Sequence, residues 1–397
     1  MSFGGVLSRR SAVSFGVRSD GYAVGRVDSW ILITTYLLLG VGVLMVFSTT
    51  AVSSAELYGE STVYLRKHLL HLIVGLGALY TATKIPSDLL GKVSGYLLIG
   101  LIFLLVLVLF PAIGRSAGGA RRWLELGPLS VQPGELAKLG VVLYFSSYVE
   151  RRKFQLSSFC RGVVMPLVVA SVLVFLLLLE PDFGTAAVIM AIVVCQLLVA
   201  GVRIAHLLGL GLFAAAAIAT LIFVSPYRMR RFSTFIDPFS DATNAGYQLI
   251  QSLIAVGSGG LYGAGLGAGK QKLFYLPAAH TDFIFAVIAE ELGLIGALAV
   301  VLLFMVFAYR GYILSKRLSF SPYLSTLAVG LTLLVVMPAI LNIAVVLGLL
   351  PTKGMVLPLV GYGGSAMVMY LFAIGMLLRL SKHSELNIDV RSSRSEF

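Results

Sequence analysis

Residues 280–309 read HTDFIFAVIAEELGLIGALAVVLLFMVFAY, and their reading decides the fold. From Phe283 to Tyr309 the run is apolar apart from Glu290 and Glu291. As a helix it would measure about 40 Å at ~1.5 Å per residue, more than the ~30 Å hydrocarbon core of a bilayer requires. It is continuous and shows none of the two-residue alternation of a barrel strand. The run is therefore a membrane-spanning helix. Asp282 stands where a polar loop enters it, and an ionisable residue at such a junction is costly enough to suggest a functional site.

Nine further apolar runs extend the pattern over the 397 residues: 30–47, 69–83, 93–110, 135–149, 163–179, 184–201, 207–224, 325–347 and 362–380. The chain is 58% hydrophobic and 12% charged, with a mean hydropathy of +0.95. These values place it in the polytopic membrane class. The expected fold is an all-α polytopic membrane protein of about ten transmembrane helices, since only helices or closed barrels satisfy the backbone in lipid. The runs at 69–83 and 135–149 are short, so their ends are the least defined. Residues 30–47 are longer than the ~7–15 apolar residues of a signal peptide and follow a 29-residue arm, which favours an uncleaved first helix.

More than half of the 30 Lys and Arg fall in the two ends and in the loops on the same side, including Arg151, Arg152, Lys153, Arg310, Lys316 and Arg317. By the positive-inside rule both termini are cytoplasmic and the loop at 225–282 is extracytoplasmic. The net charge of +12 reads as attraction to anionic membrane lipids. A nucleic-acid partner would require a basic soluble domain, and none is present. Cys160 and Cys195 imply no disulfide framework. The expected organisation is an arm at 1–28, one membrane domain at 29–380 and a tail at 381–397. Within the long loop, residues 246–256 read as a short re-entrant or interfacial helix. Residues 257–269 then supply glycines for a turn or for close backbone approach.

Several polar groups could carry chemistry. Asp282 and Thr281 suit a helix N-cap, and Asp282 equally suits a general base at the membrane–water boundary. His280 is either a direct participant or a polar neighbour. Glu290 and Glu291 point to different helix faces, so they are not expected to share one pocket wall; Lys138 is a candidate partner for one of them. Arg121, Arg122, Arg228, Arg230, Arg231, Lys270 and Lys272 can grip diphosphate oxygens or lipid headgroups. Glu180-Pro181-Asp182 joins two runs, with Asp182 able to cap the second or to contact substrate. Residues 351–365, with Lys353 and Ser365, form the last outward loop; Gly363-Gly364 can admit a lipid-linked substrate or pack helices closely. No phosphate loop, His/Cys metal spacing or nucleophile elbow is readable.

The blocks YRMRRFSTFIDPF (227–239), GYQLIQSLIAVGSGGLYGAGLGAG (246–269) and YLPAAHTDFIFAVIAEELG (275–293) resemble the SEDS family of bacterial cell-wall glycosyltransferases. So do GARRWLELGPLSVQPGELAKL (119–139), the PDFGT turn (181–185), and PTKG (351–354) with YGGS (362–365). Gly134, Gly361 and Met355-Val356 depart from the family's usual residues, while Thr352-Lys353-Gly354 looks more like its division branch. The resemblance, over roughly residues 28–380, implies a peptidoglycan glycosyltransferase that polymerises lipid II onto an undecaprenyl-diphosphate-linked glycan. It implies Asp282 as the catalytic residue, with Arg121, Arg122, Arg228, Arg231, Lys270, His280, Lys353 and Ser365 as substrate-binding candidates. A divalent cation, magnesium or manganese, is left open. The implied partners are a class B penicillin-binding protein transpeptidase, other division proteins and membrane lipids. The implied place is the bacterial inner membrane at the division septum. A lipid II flippase, a non-catalytic division scaffold and an elongation-type role are the alternatives.

Overall fold

The computed structural model describes residues 27–117, 120–126, 129–209, 235–243, 246–273 and 275–394, with isolated positions between 211 and 233. Side chains are described as far as His383. The architecture is a helical bundle. Its helices are α1 (Ser29–Tyr58), α2 (Val63–Ala82), α3 (Ser87–Leu109), α4 (Pro133–Arg152), α5 (Met165–Leu179) and α6 (Phe183–Val199), then α7 (Tyr247–Ser258), α8 (Ile284–Arg317), α9 (Pro322–Val346) and α10 (Gly364–Arg394).

Local chemistry sets many of the ends. The Asp28 side chain accepts the N–H groups of Trp30 and Ile31 to start α1, and Gly59 closes that helix at φ 74. Pro133 and Pro322 sit in the first turns of α4 and α9, where a missing N–H costs nothing. Asp182 caps α6 through Thr185 N. α10 runs past Leu380 to Arg394 because nothing from Ser381 onward, neither glycine nor proline, interrupts it.

Six described helices are long and apolar enough to cross a membrane: α1, α3, α5 with its leading π turn, α8, α9 and α10. α6 is apolar but shorter, at 17 residues. α2 and α4, each of 20 residues, carry charge. In α4 that charge is partly turned inward, with Lys138 3% exposed. The run at 207–224 lies largely outside the described residues. One apolar core joins α1, α8, α9 and α10 around Met45, Phe304, Phe307, Leu334 and Leu377. A second joins α3 to α6 around Leu105, Phe145, Leu173 and Ile189. Large apolar side chains such as Ile99, Phe103, Phe175 and Leu302 point outward, the inverse of a water-soluble surface.

Two features were not legible in the apolar pattern. A small antiparallel sheet, β1 (Gly114–Ala117), β2 (Ala120–Leu126) and β3 (Leu129–Val131), stands between α3 and α4. In addition, α8 is broken at Gly293 (φ 68, ψ −167), a conformation that favours glycine. The break frees backbone groups, and the glycine-rich segment after α7 meets them. Ala264 N donates to Glu290 O at 2.9 Å, Gly265 N to Glu291 O at 3.1 Å, and Leu294 N to Gly260 O at 2.9 Å. The sealed break leaves none of these groups to lipid.

Candidate active site

The chain enters α8 through a tight turn. The Ala278 carbonyl accepts the N–H groups of Thr281, Asp282 and Phe283 at 3.1–3.3 Å. The N-cap of α8 is Phe283, with no side-chain cap bond. Asp282 is therefore not spent on capping, which removes that alternative for its carboxylate. Burial pushes its pKa up to about 6, against the opposing pull of the Thr281 hydroxyl and of Arg122, with Asp182 adding to the rise. A carboxyl in this range is a better base than a capping carboxylate yet is still largely ionised at neutral pH.

Three segments close around it. The first is the loop at residues 351–363. A Cβ on Gly354 would lie 3.1 Å from Asp282 Oδ2, so the backbone passes directly over the carboxylate. Tyr362 N donates to His280 O at 2.9 Å, and Asn342 of α9 donates to both Asp282 O and Met355 O. The second is the turn between α5 and α6. Asp182 accepts from Thr185 N at 3.1 Å and Thr185 Oγ1 at 2.9 Å, with Gln132 Nε2 at 3.4 Å. Glu180 is 1% exposed with neither carboxylate oxygen hydrogen-bonded, and burial, reinforced by Asp182, pushes its pKa up to about 8.

The third segment is β2. Arg122 Nε donates to Glu180 O at 3.0 Å and Nη2 to Pro181 O at 2.6 Å, which fixes the guanidinium beside Asp182 and Asp282. Lys353 is half-buried; desolvation lowers its pKa and Asp182 opposes the shift. Ser365, at the start of α10, donates to Ser130 O at 2.9 Å and accepts from Gln132 N at 3.3 Å. Its hydroxyl thus holds β3 and the start of α4 against α10.

Asp282, Arg122, Asp182, Glu180 and Lys353 therefore belong to one polar site. Arg121 neighbours it on β2 as an exposed side chain. His280 packs in a ring triangle with Tyr64 and Tyr362, its centroid 5.8 Å from each, and burial lowers its pKa toward the neutral form. Lys270 is exposed, and its backbone N–H binds Glu290 Oε1 at 2.7 Å. Arg228 and Arg231 lie outside the described residues.

The expected partner of Glu290 and Glu291 is corrected. Lys138 sits 2.7 Å from Glu135 and donates to the Tyr370 hydroxyl at 3.3 Å. Lys272 instead pairs with Glu291 at 2.6 Å. The two acids also serve one segment despite their different helix angles. Gly267 N binds Glu291 Oε2, while Lys270 N and Gln271 N bind Glu290, because the glycine-rich backbone wraps across both faces. Asn342 and the Tyr64–Tyr362 pair were not singled out in the sequence. A lone amide in the apolar run at 325–347 was the available signal for the first. Among the described residues no group of three or more His, Cys, Asp or Glu side chains is placed to hold a metal ion.

Comparison with known proteins gives one answer along almost the whole chain. The family model FTSW_RODA_SPOVE, described as cell cycle protein, matches residues 29–386. The probable peptidoglycan glycosyltransferase FtsW of Coxiella burnetii is 42% identical, over 90% of this chain and 97% of its own length. The protein of the same name from Legionella pneumophila is 42% identical over 89% of this chain and 90% of its own length. In three dimensions the chain resembles one in a peptidoglycan synthase complex that coordinates polymerization and crosslinking. There the TM-score is 0.75 at 29% identity, covering 90% of this chain and 98% of the other. It also resembles the rod shape determining protein RodA of Thermus thermophilus, with a TM-score of 0.64 at 27% identity and coverages of 89% and 96%.

Proposed function

The chain belongs to the FtsW, RodA and SpoVE family of cell cycle proteins and is a peptidoglycan glycosyltransferase; we propose that it polymerises lipid II, with Asp282 as the base. In this reading a sugar 4-hydroxyl attacks the anomeric carbon of a glycan held on undecaprenyl diphosphate. The new glycosidic C–O bond forms as the bond from the anomeric carbon to the diphosphate oxygen breaks. The hydroxyl proton passes to the Asp282 carboxylate, and undecaprenyl diphosphate leaves with the electron pair.

The observation that carries this reading is Asp282 itself: free of any capping bond, raised by burial to about 6, and within the field of Arg122. Arg122 is anchored on two backbone carbonyls, so its charge is held in place rather than recruited from solvent. Arg121 and Lys353 add positive charge for the diphosphate, and Arg228, Arg231 and Lys270 are proposed to extend that surface. His280 and Ser365 contribute by placing their segments.

The Asp282 end of the bundle faces the outside of the inner membrane in this reading, with both termini cytoplasmic, and the protein works at the division septum. A class B penicillin-binding protein is its proposed partner, supported by the resemblance to a synthase complex that couples polymerization to crosslinking. A flippase would call for a polar track through the bundle; the buried Lys138 and Lys272 are instead each closed by an acid. Glycan polymerisation by the purified protein with lipid II, run beside Asp282→Ala, tests the proposal. Equal polymer from the two proteins would refute it.

A further inference from the structure

We infer that Asn342 is a positioning residue of the transfer site: its amide holds the backbone of Asp282 and the loop at Met355 at a fixed separation, and so sets how the Asp282 carboxylate is presented. Asn342 Nδ2 donates to Asp282 O at 2.7 Å and to Met355 O at 2.6 Å. Two carbonyl oxygens can be met only by the NH2 end of the amide, so its orientation is not ambiguous. The side chain is 2% exposed, and Oδ1 is buried without a hydrogen-bond partner. Burying an amide with one end unsatisfied is costly, and a leucine would suit this apolar stretch of α9 better. What the amide contributes lies on its Nδ2 side, where it joins two segments distant in sequence.

The geometry gives that joint a consequence for chemistry. Gly354 is the residue before Met355, and it is the point at which the loop crosses the carboxylate, with a hypothetical Cβ only 3.1 Å from Oδ2. Releasing Met355 lets this crossing lift and water reach Asp282. Arg122 on β2 and Asp182, with Glu180 behind it in the turn before α6, stand on elements that the release does not touch, and His280 lies on the segment of Asp282 itself; Lys353 moves with the loop, and its charge acts on Asp182. The change at Asp282 is then one of solvation. Burial is the largest cause of its raised pKa, so opening the site moves that pKa down, toward the ordinary carboxylate range.

The inference rests on Asp282 being the base, and the experiment separates the two ideas. Initial rates of lipid II polymerisation are measured against pH for wild type, Asp282→Asn, Asn342→Ala and the milder Asn342→Ser, each first checked by thermal unfolding in detergent. The expected result is a folded Asn342 variant about ten- to hundredfold slower, as misplacement near a reacting group gives, with its acidic limb moved to lower pH. If Asn342→Ala does not fold, Asn342→Ser is judged by the same limb. An Asn342 variant whose limb coincides with that of wild type overturns the positioning role, whatever its rate, because a merely structural loss lowers the active fraction without moving the profile. Activity in Asp282→Asn overturns the base and this inference together.

Discussion

Lys272 Nζ lies 2.6 Å from Glu291 Oε1, and the two side chains are 5% and 0% exposed. Ser48 of α1 joins them, accepting from Lys272 at 2.8 Å and donating to Glu291 Oε2 at 2.7 Å. The contact ties the segment after α7 to α8 beside the break at Gly293, and ties both to α1. Removing one partner would leave a buried charge alone, which costs about 3–5 kcal/mol. Lys272→Met is therefore expected to lower the unfolding temperature in detergent markedly, and adding Glu291→Gln should recover much of the loss. An unfolding temperature for Lys272→Met equal to wild type would show that the pair contributes nothing.

Glu180 leads to a prediction about pH. Its folded pKa is raised to about 8 from an ordinary carboxylate value of 4.5. Between those two values the folded protein keeps a proton that the unfolded chain has released. Stability therefore falls as pH rises through this window, the reverse of a salt-bridged acid. Glu180→Gln keeps the shape of the protonated acid and removes the dependence. It should unfold with wild type near pH 4.5 and be more stable by on the order of 2–4 kcal/mol at pH 8. Parallel melting curves for the two proteins across pH 5–8 would contradict it.

The legible and illegible parts of this chain divide along a physical line. A spanning helix needs about 20 apolar residues, so α1, α3, α5, α8, α9 and α10 stand out by composition alone. Asp282 stood out because a charge at the mouth of such a helix is conspicuous. The partner of Glu291 did not, because Lys138 and Lys272 are equally basic on paper and only the path of the chain chooses between them. The strands at 114–131 are short and mixed in polarity, and their pairing, not their pattern, makes them strands. The division of labour between Arg121 and Arg122 also escaped the sequence. Adjacent residues of a strand point to opposite faces, and only Arg122 reaches the carbonyls of Glu180 and Pro181.

Arg122 favours the ionised form of Asp282, so its loss should raise the Asp282 pKa. A base works when deprotonated, and the acidic limb of the polymerisation rate is expected to move to higher pH in Arg122→Ala. At pH 7 that shift combines with the loss of an anchored charge for the diphosphate, for a fall of roughly ten- to hundredfold. Arg122→Lys should not restore the rate, because the flexible, compact ammonium does not reproduce the rigid planar fork that meets the two carbonyls through separate nitrogens. A limb that stays in place in Arg122→Ala would remove Arg122 from the electrostatics of the base.

Asp282 carries the last prediction. With its pKa at about 6, the wild-type rate should be near its plateau at pH 7.5 and fall tenfold for each unit below pH 6 as the carboxylate is protonated. Asp282→Asn keeps the shape of the side chain and removes its basicity. The fold has little reason to suffer: the bonds that hold this turn run through backbone groups at Ala278, Asp282 and Met355, and Phe283, not Asp282, occupies the cap of α8. The variant should melt at or slightly above the wild-type temperature, since replacing a carboxylate raised by burial removes a desolvation cost. It should still associate with the proposed transpeptidase partner, and it should give no polymer from lipid II at any pH between 5 and 9. If polymer appears with the acidic limb of the wild type unchanged, neither proton removal nor the limb passes through Asp282, and the base must be sought elsewhere in the site.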